Sequence, residues 1–154
     1  MSDQDGTTME TDVNGDGVAD TVVVEQDPDG GTTMTADTDG DGVADEVAID
    51  TDGDGVADEV YYDTDGDGVL DTELIDTDGD GIADTVVADR NEDGLVDLVG
   101  QDTDGDGSVD SVVADQNFDG QADTAVVDHH DGTATVVTEE TVPYGDSTIN
   151  PHLN

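Results

Sequence analysis

The chain has no cysteine, no tryptophan, no lysine, one phenylalanine and a single arginine, Arg90, among its 154 residues. Without cysteine there is neither a disulfide framework nor thiolate chemistry, so any stapling must come from metal or from repetition. Against that one cation stand 44 Asp and Glu, a formal net charge of −43. Nucleic acid is thereby excluded as a partner, since phosphate contacts need Lys and Arg, and anionic lipid surfaces are repelled for the same reason. No run of about 18 apolar residues exists to form a membrane-spanning helix, so no membrane insertion is expected. Only 32% of residues are hydrophobic and 3% aromatic, too few for a large conventional core. Such a balance of charge and hydropathy ordinarily gives a disordered chain. If this one folds, something must neutralise it.

What is abundant is Asp and Gly, in a fixed order. The stretch "DTDGDGVADEV" begins at Asp37, with near-copies from Asp50, Asp63, Asp76 and Asp102, and looser ones from Asp12, Asp89 and Asp115. From Asp37 onward the spacing never varies, each unit starting thirteen positions after the last. A degenerate unit at Glu25 ("EQDPDGGTT") is one residue short and has Thr33 at its ninth position, which predicts a distorted turn or weak site; another at Asp128 ("DHHDGTATV") closes the series. The period marks a repeat array over 12–132, flanked by an N-terminal segment 1–11 and a C-terminal strand and tail 133–154.

Positions 10 to 13 of the unit are short and rich in β-branched residues, as in Glu46-Val47-Ala48-Ile49, Thr85-Val86-Val87-Ala88 and Ser111-Val112-Val113-Ala114. Bounded by Gly and Asp and lacking a 3.6-residue apolar period, they predict strands of about four to six residues. The expected fold is all-β, a repeat β-solenoid (β-roll) of 13-residue loop-plus-strand units with calcium in the loops. Two units would make one coil, and side chains at positions 11 and 13, such as Val47 with Ile49 or Val86 with Ala88, would form a thin core. An up-and-down meander in which every loop is a hairpin is the alternative that periodicity leaves open.

Positions 1, 3, 5 and 9 hold carboxylates or Asn, and position 6 is Gly in all eight good copies. Calcium takes six to eight oxygens at about 2.3–2.6 Å, which alternate side chains of a curled loop supply, while Gly allows the turn that brings position 9 back. The candidate ligands are Asp12, Asn14, Asp16 and Asp20; Asp37, Asp39, Asp41 and Asp45; Asp50, Asp52, Asp54 and Asp58; Asp63, Asp65, Asp67 and Asp71; Asp76, Asp78, Asp80 and Asp84; Asp89, Asn91, Asp93 and Asp97; Asp102, Asp104, Asp106 and Asp110; and Asp115, Asn117, Asp119 and Asp123. Asn at position 3 keeps an oxygen ligand while shedding a charge. A merely solvated acidic spacer has no need of the periodic Gly.

The pattern Asp-x-Asp/Asn-x-Asp-Gly-x-x-Asp resembles the calcium loops of EF-hand-like proteins, and most closely those of integrin-type β-propeller repeats, where a ninth-position Asp closes the site and a strand follows. It is also similar to thrombospondin type 3 and dockerin repeats, and the tandem loop-plus-strand plan looks like the β-rolls of RTX proteins. The bidentate Glu at position 12 of the EF-hand is absent, that place holding Ala48, Tyr61, Leu74 or Val87. The resemblance therefore implies calcium loops but not the EF-hand helix pair.

One calcium per good loop would reduce the charge from −43 to about −27. Without metal, carboxylates a few ångströms apart repel by about 1 kcal/mol per pair even in a water-like dielectric, more in sum than a thin strand recovers by burial. The expectation is an expanded chain without calcium and a folded one with it.

The remaining features receive quieter readings. His129 and His130 lack Cys or spaced His partners and read as a surface or capping pair in place of a zinc site. Arg90 relieves local repulsion, and Tyr61, Tyr62, Leu70 and Leu74 pack locally. The tail predicts a strand, Ala134 to Val137, and a Pro-containing cap. No enzyme is expected, because a site repeated along an array suggests capacity or scaffold, and no nucleophile triad or phosphate loop is visible.

Function then reads as a calcium-binding module, stiff and acidic, extracellular or at the cell surface, with self-association or a cell-surface partner. An intracellular calcium buffer is the alternative, and end-to-end assembly into a filament a third. The opening "MSDQDGTTME" has neither the basic nor the apolar region of a secretory signal. An extracellular address thus requires a leader already removed or another export route.

Overall fold

Each repeat couples a stretch that favours extended backbone to one that must reverse it. The computed structural model describes residues 6–28, 30–131 and 133–138, and the chain divides into two compact units, Met1–Ile82 and Ala83–Asn154. The first unit contains β1 (Thr7–Thr11), β2 (Asp20–Gln26), β3 (Thr32–Asp37), β4 (Glu46–Asp50), β5 (Glu59–Tyr62) and β6 (Thr72–Ile75), each paired antiparallel with the next. The second contains β7 (Thr85–Ala88), β8 (Leu98–Gln101), β9 (Ser111–Ala114), β10 (Thr124–Asp128) and β11 (Ala134–Thr138), paired in the same manner. There is no helix among the described residues, so the protein is all-β as expected.

The β-roll expectation is corrected by this pairing. Coil-to-coil stacking would set strands parallel, whereas here each strand turns back onto its sequence neighbour, which is the meander. The cause lies in the loop. The position-9 N–H donates to the carbonyl just before position 1, as in Asp45 to Ala36 (2.8 Å), Asp58 to Ile49 (2.8 Å), Asp71 to Tyr62 (2.9 Å) and Asp97 to Ala88 (2.8 Å). That bond closes the loop into a hairpin and fixes the register, so that Ala36 stands opposite Glu46, Ile49 opposite Glu59 and Tyr62 opposite Thr72. So tight a reversal uses left-handed backbone at positions 4 and 6, seen at Gly40 (φ 80°) and Gly42 (φ 93°), which a side chain would strain.

Residues 7–11, placed outside the array by their sequence, form β1 against β2. The degenerate unit at Glu25 continues β2 through Gln26 and then makes a short turn, with Asp27 N–H donating to the Gly31 carbonyl (2.8 Å) and Gly30 N–H to that of Asp27 (3.0 Å). The terminal strand expected at Ala134 to Val137 is β11. The Pro-containing cap expected after it lies outside the described residues.

The core is thin. Buried apolar side chains among the described residues are Val22, Ala36 and Ala88, with Val22 and Ala36 directly opposite one another. Val47, Ile49 and Val86 are half-buried, and β4, β5 and β6 show no alternation of covered and exposed faces. Stability from burial is spread over many partly covered Val, Ile and Ala side chains. At Gly100, in β8, an added Cβ would stand 2.7 Å from Val86 Cγ1 and 3.2 Å from Val109 Cγ1, so glycine there lets neighbouring valines close over the strand.

Candidate metal loops

Because strands run alternately up and down, the loops of each unit sit on two opposite rims. In the first unit the loops 12–20, 37–45 and 63–71 share one rim, and the 27–31 turn and the 50–58 loop share the other. In the second, 89–97 and 115–123 share a rim, as do 102–110 and 129–133.

Within a loop, the carboxylates organise the backbone before any ligand is considered. Asp37 accepts the Gly40 N–H at Oδ1 (2.7 Å) and the Gly42 N–H at Oδ2 (3.0 Å). Asp39 Oδ1 accepts the Asp41 N–H (2.9 Å), and Asp41 Oδ1 accepts the Val43 N–H (2.7 Å). The same pattern recurs at Asp12, Asn14 and Asp16, and at Asp50, Asp52 and Asp54. These short-range bonds curl the chain and turn positions 1, 3 and 5 toward a common point. Carboxylate oxygens of Asp37, Asp39 and Asp41 lie within 4.8 Å of one another, and so do those of Asp50, Asp52 and Asp54. In the 63–71 loop the converging set is Asp63, Asp65 and Asp71.

Position 9 has a second anchor that sequence reading did not find. Asp45 Oδ2 accepts both the N–H and the hydroxyl of Thr38, each at 2.6 Å. Thr51 with Asp58, Thr64 with Asp71 and Thr103 with Asp110 repeat the arrangement. The Thr hydroxyl, then its N–H, holds Asp45 and Asp58 below the usual carboxylate range. At Asp71 burial pushes the other way, but the hydroxyls of Thr72 and Thr64 outweigh it and the net shift is down. Asp110 is lowered to about 2, first by Thr103 and then by His130. The recurring Thr at position 2 was the available signal. Position 2 lies outside the alternation of positions 1, 3 and 5 that marks the candidate ligands.

Position 2 is not threonine in three loops, at Val13, Arg90 and Gln116, and two of these loops leave a carboxylate oxygen short of a donor. In the first loop Val13 replaces the threonine, so Asp20 Oδ2 accepts only the Val13 N–H (2.7 Å), and Asp20 Oδ1 is buried with no hydrogen-bond partner on a residue 2% exposed. In the 89–97 loop, where Glu92 (φ 57°) replaces the position-4 glycine, Asp89 Oδ2 accepts the Gly94 N–H (2.8 Å) while its buried Oδ1 has no partner. A buried carboxylate oxygen lacking a donor is costly, and a cation there would supply what is missing.

The second unit also brings in side chains from outside a single loop. His130, distant from Asp110 in sequence, meets the Asp110 carboxylate and lies with Asp104 and Asp106 in a group whose donor atoms are within 4.8 Å of one another. Asp110 raises the His130 pKa in turn. The capping role read for this histidine is thus a contact with a neighbouring loop, one visible only once the rims are known. His129 bonds the Thr135 hydroxyl (2.7 Å) instead. Arg90 pairs with Asp97 (3.1 Å), reaches the Asp115 carbonyl (3.5 Å) and lies over the Phe118 ring, 5.7 Å from its centroid. It pairs with a carboxylate in its own loop and also contacts the next loop on that rim, through a backbone carbonyl and an aromatic ring. In that next loop the Asn117 amide donates to Asp123 (3.1 Å), linking positions 3 and 9 directly.

Tyr61 and Tyr62 stand among acids. The Tyr61 hydroxyl lies 2.9 Å from Glu59 and 3.0 Å from Glu73, its cross-strand partner, whereas Leu74 faces Val60 and Leu70 is exposed. Burial first, then these carboxylates, raise the Tyr61 pKa; burial and Glu46 raise that of Tyr62.

Comparison with known proteins gives no match to a family model, to a curated protein or to a solved structure.

Proposed function

We propose that this chain binds calcium in its repeated loops and that loading converts a self-repelling polyanion into an ordered β-meander serving as an acidic extracellular or cell-surface module. The observation that carries the reading is the pair of buried, donorless oxygens on Asp20 and Asp89, each on a carboxylate otherwise bonded within its loop. Acidic surfaces are common without metal, but a carboxylate oxygen buried without a donor is not. The ligands would be the oxygens of positions 1, 3, 5 and 9, with Asn14, Asn91 and Asn117 contributing amide oxygens. All are hard donors, which suit calcium better than softer transition ions.

Weak affinity fits the module. Extracellular calcium modules operate at dissociation constants of about 10⁻⁴–10⁻³ M. A chain of that affinity stays unloaded at cytosolic calcium and folds after export. Partners are a cell-surface component or further copies of the chain.

Calorimetric titration of the chelated protein with calcium, read in parallel by far-ultraviolet circular dichroism, tests the reading. About eight sites with a gain of β signal near millimolar calcium are expected. Binding below micromolar would favour the intracellular buffer instead. Full β structure in excess chelator, or no binding, would overturn the proposal.

A further inference from the structure

We infer that calcium loading is coupled along each rim, from one loop to the next but one in the chain, and not to the loop that immediately follows; this rests on the calcium reading above. In a meander, sequence-adjacent loops are held apart by a strand. The 37–45 and 50–58 loops lie at opposite ends of β4, whose five residues span about 17 Å. That exceeds the screening length of about 8 Å at physiological salt, so the charge state of one loop is weakly felt at the other.

Loops two repeats apart are instead in direct contact, and through the residues proposed as ligands. The Asp63 N–H donates to the Asp45 carbonyl (2.9 Å), the Asp76 N–H to the Asp58 carbonyl (2.9 Å), and the Asp115 N–H to the Asp97 carbonyl (2.8 Å). In each case the first carboxylate residue of one loop is bonded to the ninth-position residue of its rim neighbour. Fixing the backbone of either residue around an ion therefore fixes part of the other loop.

A side-chain contact follows the same step. A Cβ built on Gly68 would lie 3.6 Å from Val43 Cγ1, one on Gly81 3.9 Å from Val56 Cγ1, and one on Gly120 3.3 Å from Leu95 Cδ1. The seventh residue of one loop thus covers the turn glycine of the next, although Val43 and Leu95 remain 43% and 50% exposed. This gives a reason for apolar residues at a loop position that binds nothing. Ordering one loop seats its seventh side chain and so closes the neighbour.

The test uses the full chain with Gly42→Val, which strains the left-handed turn of the 37–45 loop without changing any charge. Amide resonances of Gly55, in the next loop along the chain, and Gly68, in the next loop along the rim, are followed through a calcium titration. The Gly68 midpoint is expected to move to about five-fold higher calcium or more, with Gly55 unchanged. The reciprocal Gly55→Val should move Gly81 and leave Gly42 and Gly68 in place. Equal shifts at Gly55 and Gly68, or a shift at neither, would overturn the coupling while leaving calcium binding intact. Absence of calcium-dependent change at any of these glycines in the unsubstituted chain would sink the calcium reading itself.

Discussion

Thr38 holds Asp45 twice, with its N–H and its hydroxyl both 2.6 Å from the same carboxylate oxygen. Removing the hydroxyl leaves the bond that Val13 alone makes to Asp20. Thr38→Val is expected to destabilise the fold by about 1 kcal/mol at neutral pH, measured as a urea midpoint at fixed calcium. The pH dependence has a definite sign. The Asp45 pKa is depressed by folding, so its contribution is present above the ordinary Asp value of about 3.9 and is lost as pH falls through the lower folded value. The difference between Thr38→Val and the parent should shrink over that acid window. A gap that persists undiminished below it would show that the hydroxyl acts by packing.

Gly100→Ala places a methyl 2.7 Å from Val86 Cγ1. Overpacking of this kind costs about 1–3 kcal/mol, and the melting temperature at saturating calcium should fall accordingly. Adding Val86→Ala should recover part of the loss, because the two positions are cross-strand partners. No recovery in the double variant would mean that the strain lies against Val109.

Tyr61 is held neutral by burial and by the acids at Glu59 and Glu73. Its folded pKa stands above the unfolded value of about 10, so the stabilisation is complete below that value and is lost as pH rises through the folded one. Ultraviolet titration of the phenolate band, differenced against Tyr61→Phe, should show ionisation delayed beyond about pH 10. Glu59→Gln with Glu73→Gln should bring it back toward the ordinary value. An ordinary titration in the parent would remove the assigned hydrogen bonds.

Arg90 joins two loops that are already reduced in charge by Asn91 and Asn117. Arg90→Gln removes the pair with Asp97, the reach to the Asp115 carbonyl and the stacking on Phe118. Since the guanidinium is partly exposed, the loss should be no more than about 1 kcal/mol, and it should be smaller in high salt. A loss independent of salt would assign the effect to the Phe118 contact.

Much of the secondary structure was legible in the residues. The β-branched runs at Glu46, Thr85 and Ser111 begin β4, β7 and β9 at those residues, because loop and strand chemistry alternate too sharply for another assignment. Strand direction was not legible, since the repeat period is the same whether a strand returns or continues. What decides it is the single bond from the ninth N–H to the residue before the first, a geometric fact without a sequence signature. The same ambiguity hid His130, whose neighbours Asp104 and Asp106 are distant in sequence and adjacent only on a rim. Thr38, Thr51, Thr64 and Thr103 were visible as a recurring letter, but their work appears only when the ninth residue returns to them.

The alternation of rims also bears on how such an array can lengthen or shorten. Losing one repeat unit inside either half of the chain would send every later loop of that half to the opposite side and bring unlike neighbours together. Losing two would leave each surviving loop where it was, missing only a companion. Duplication obeys the same parity, so the heritable module of this architecture is the pair of repeats, although the eye reading along the chain sees only the single one.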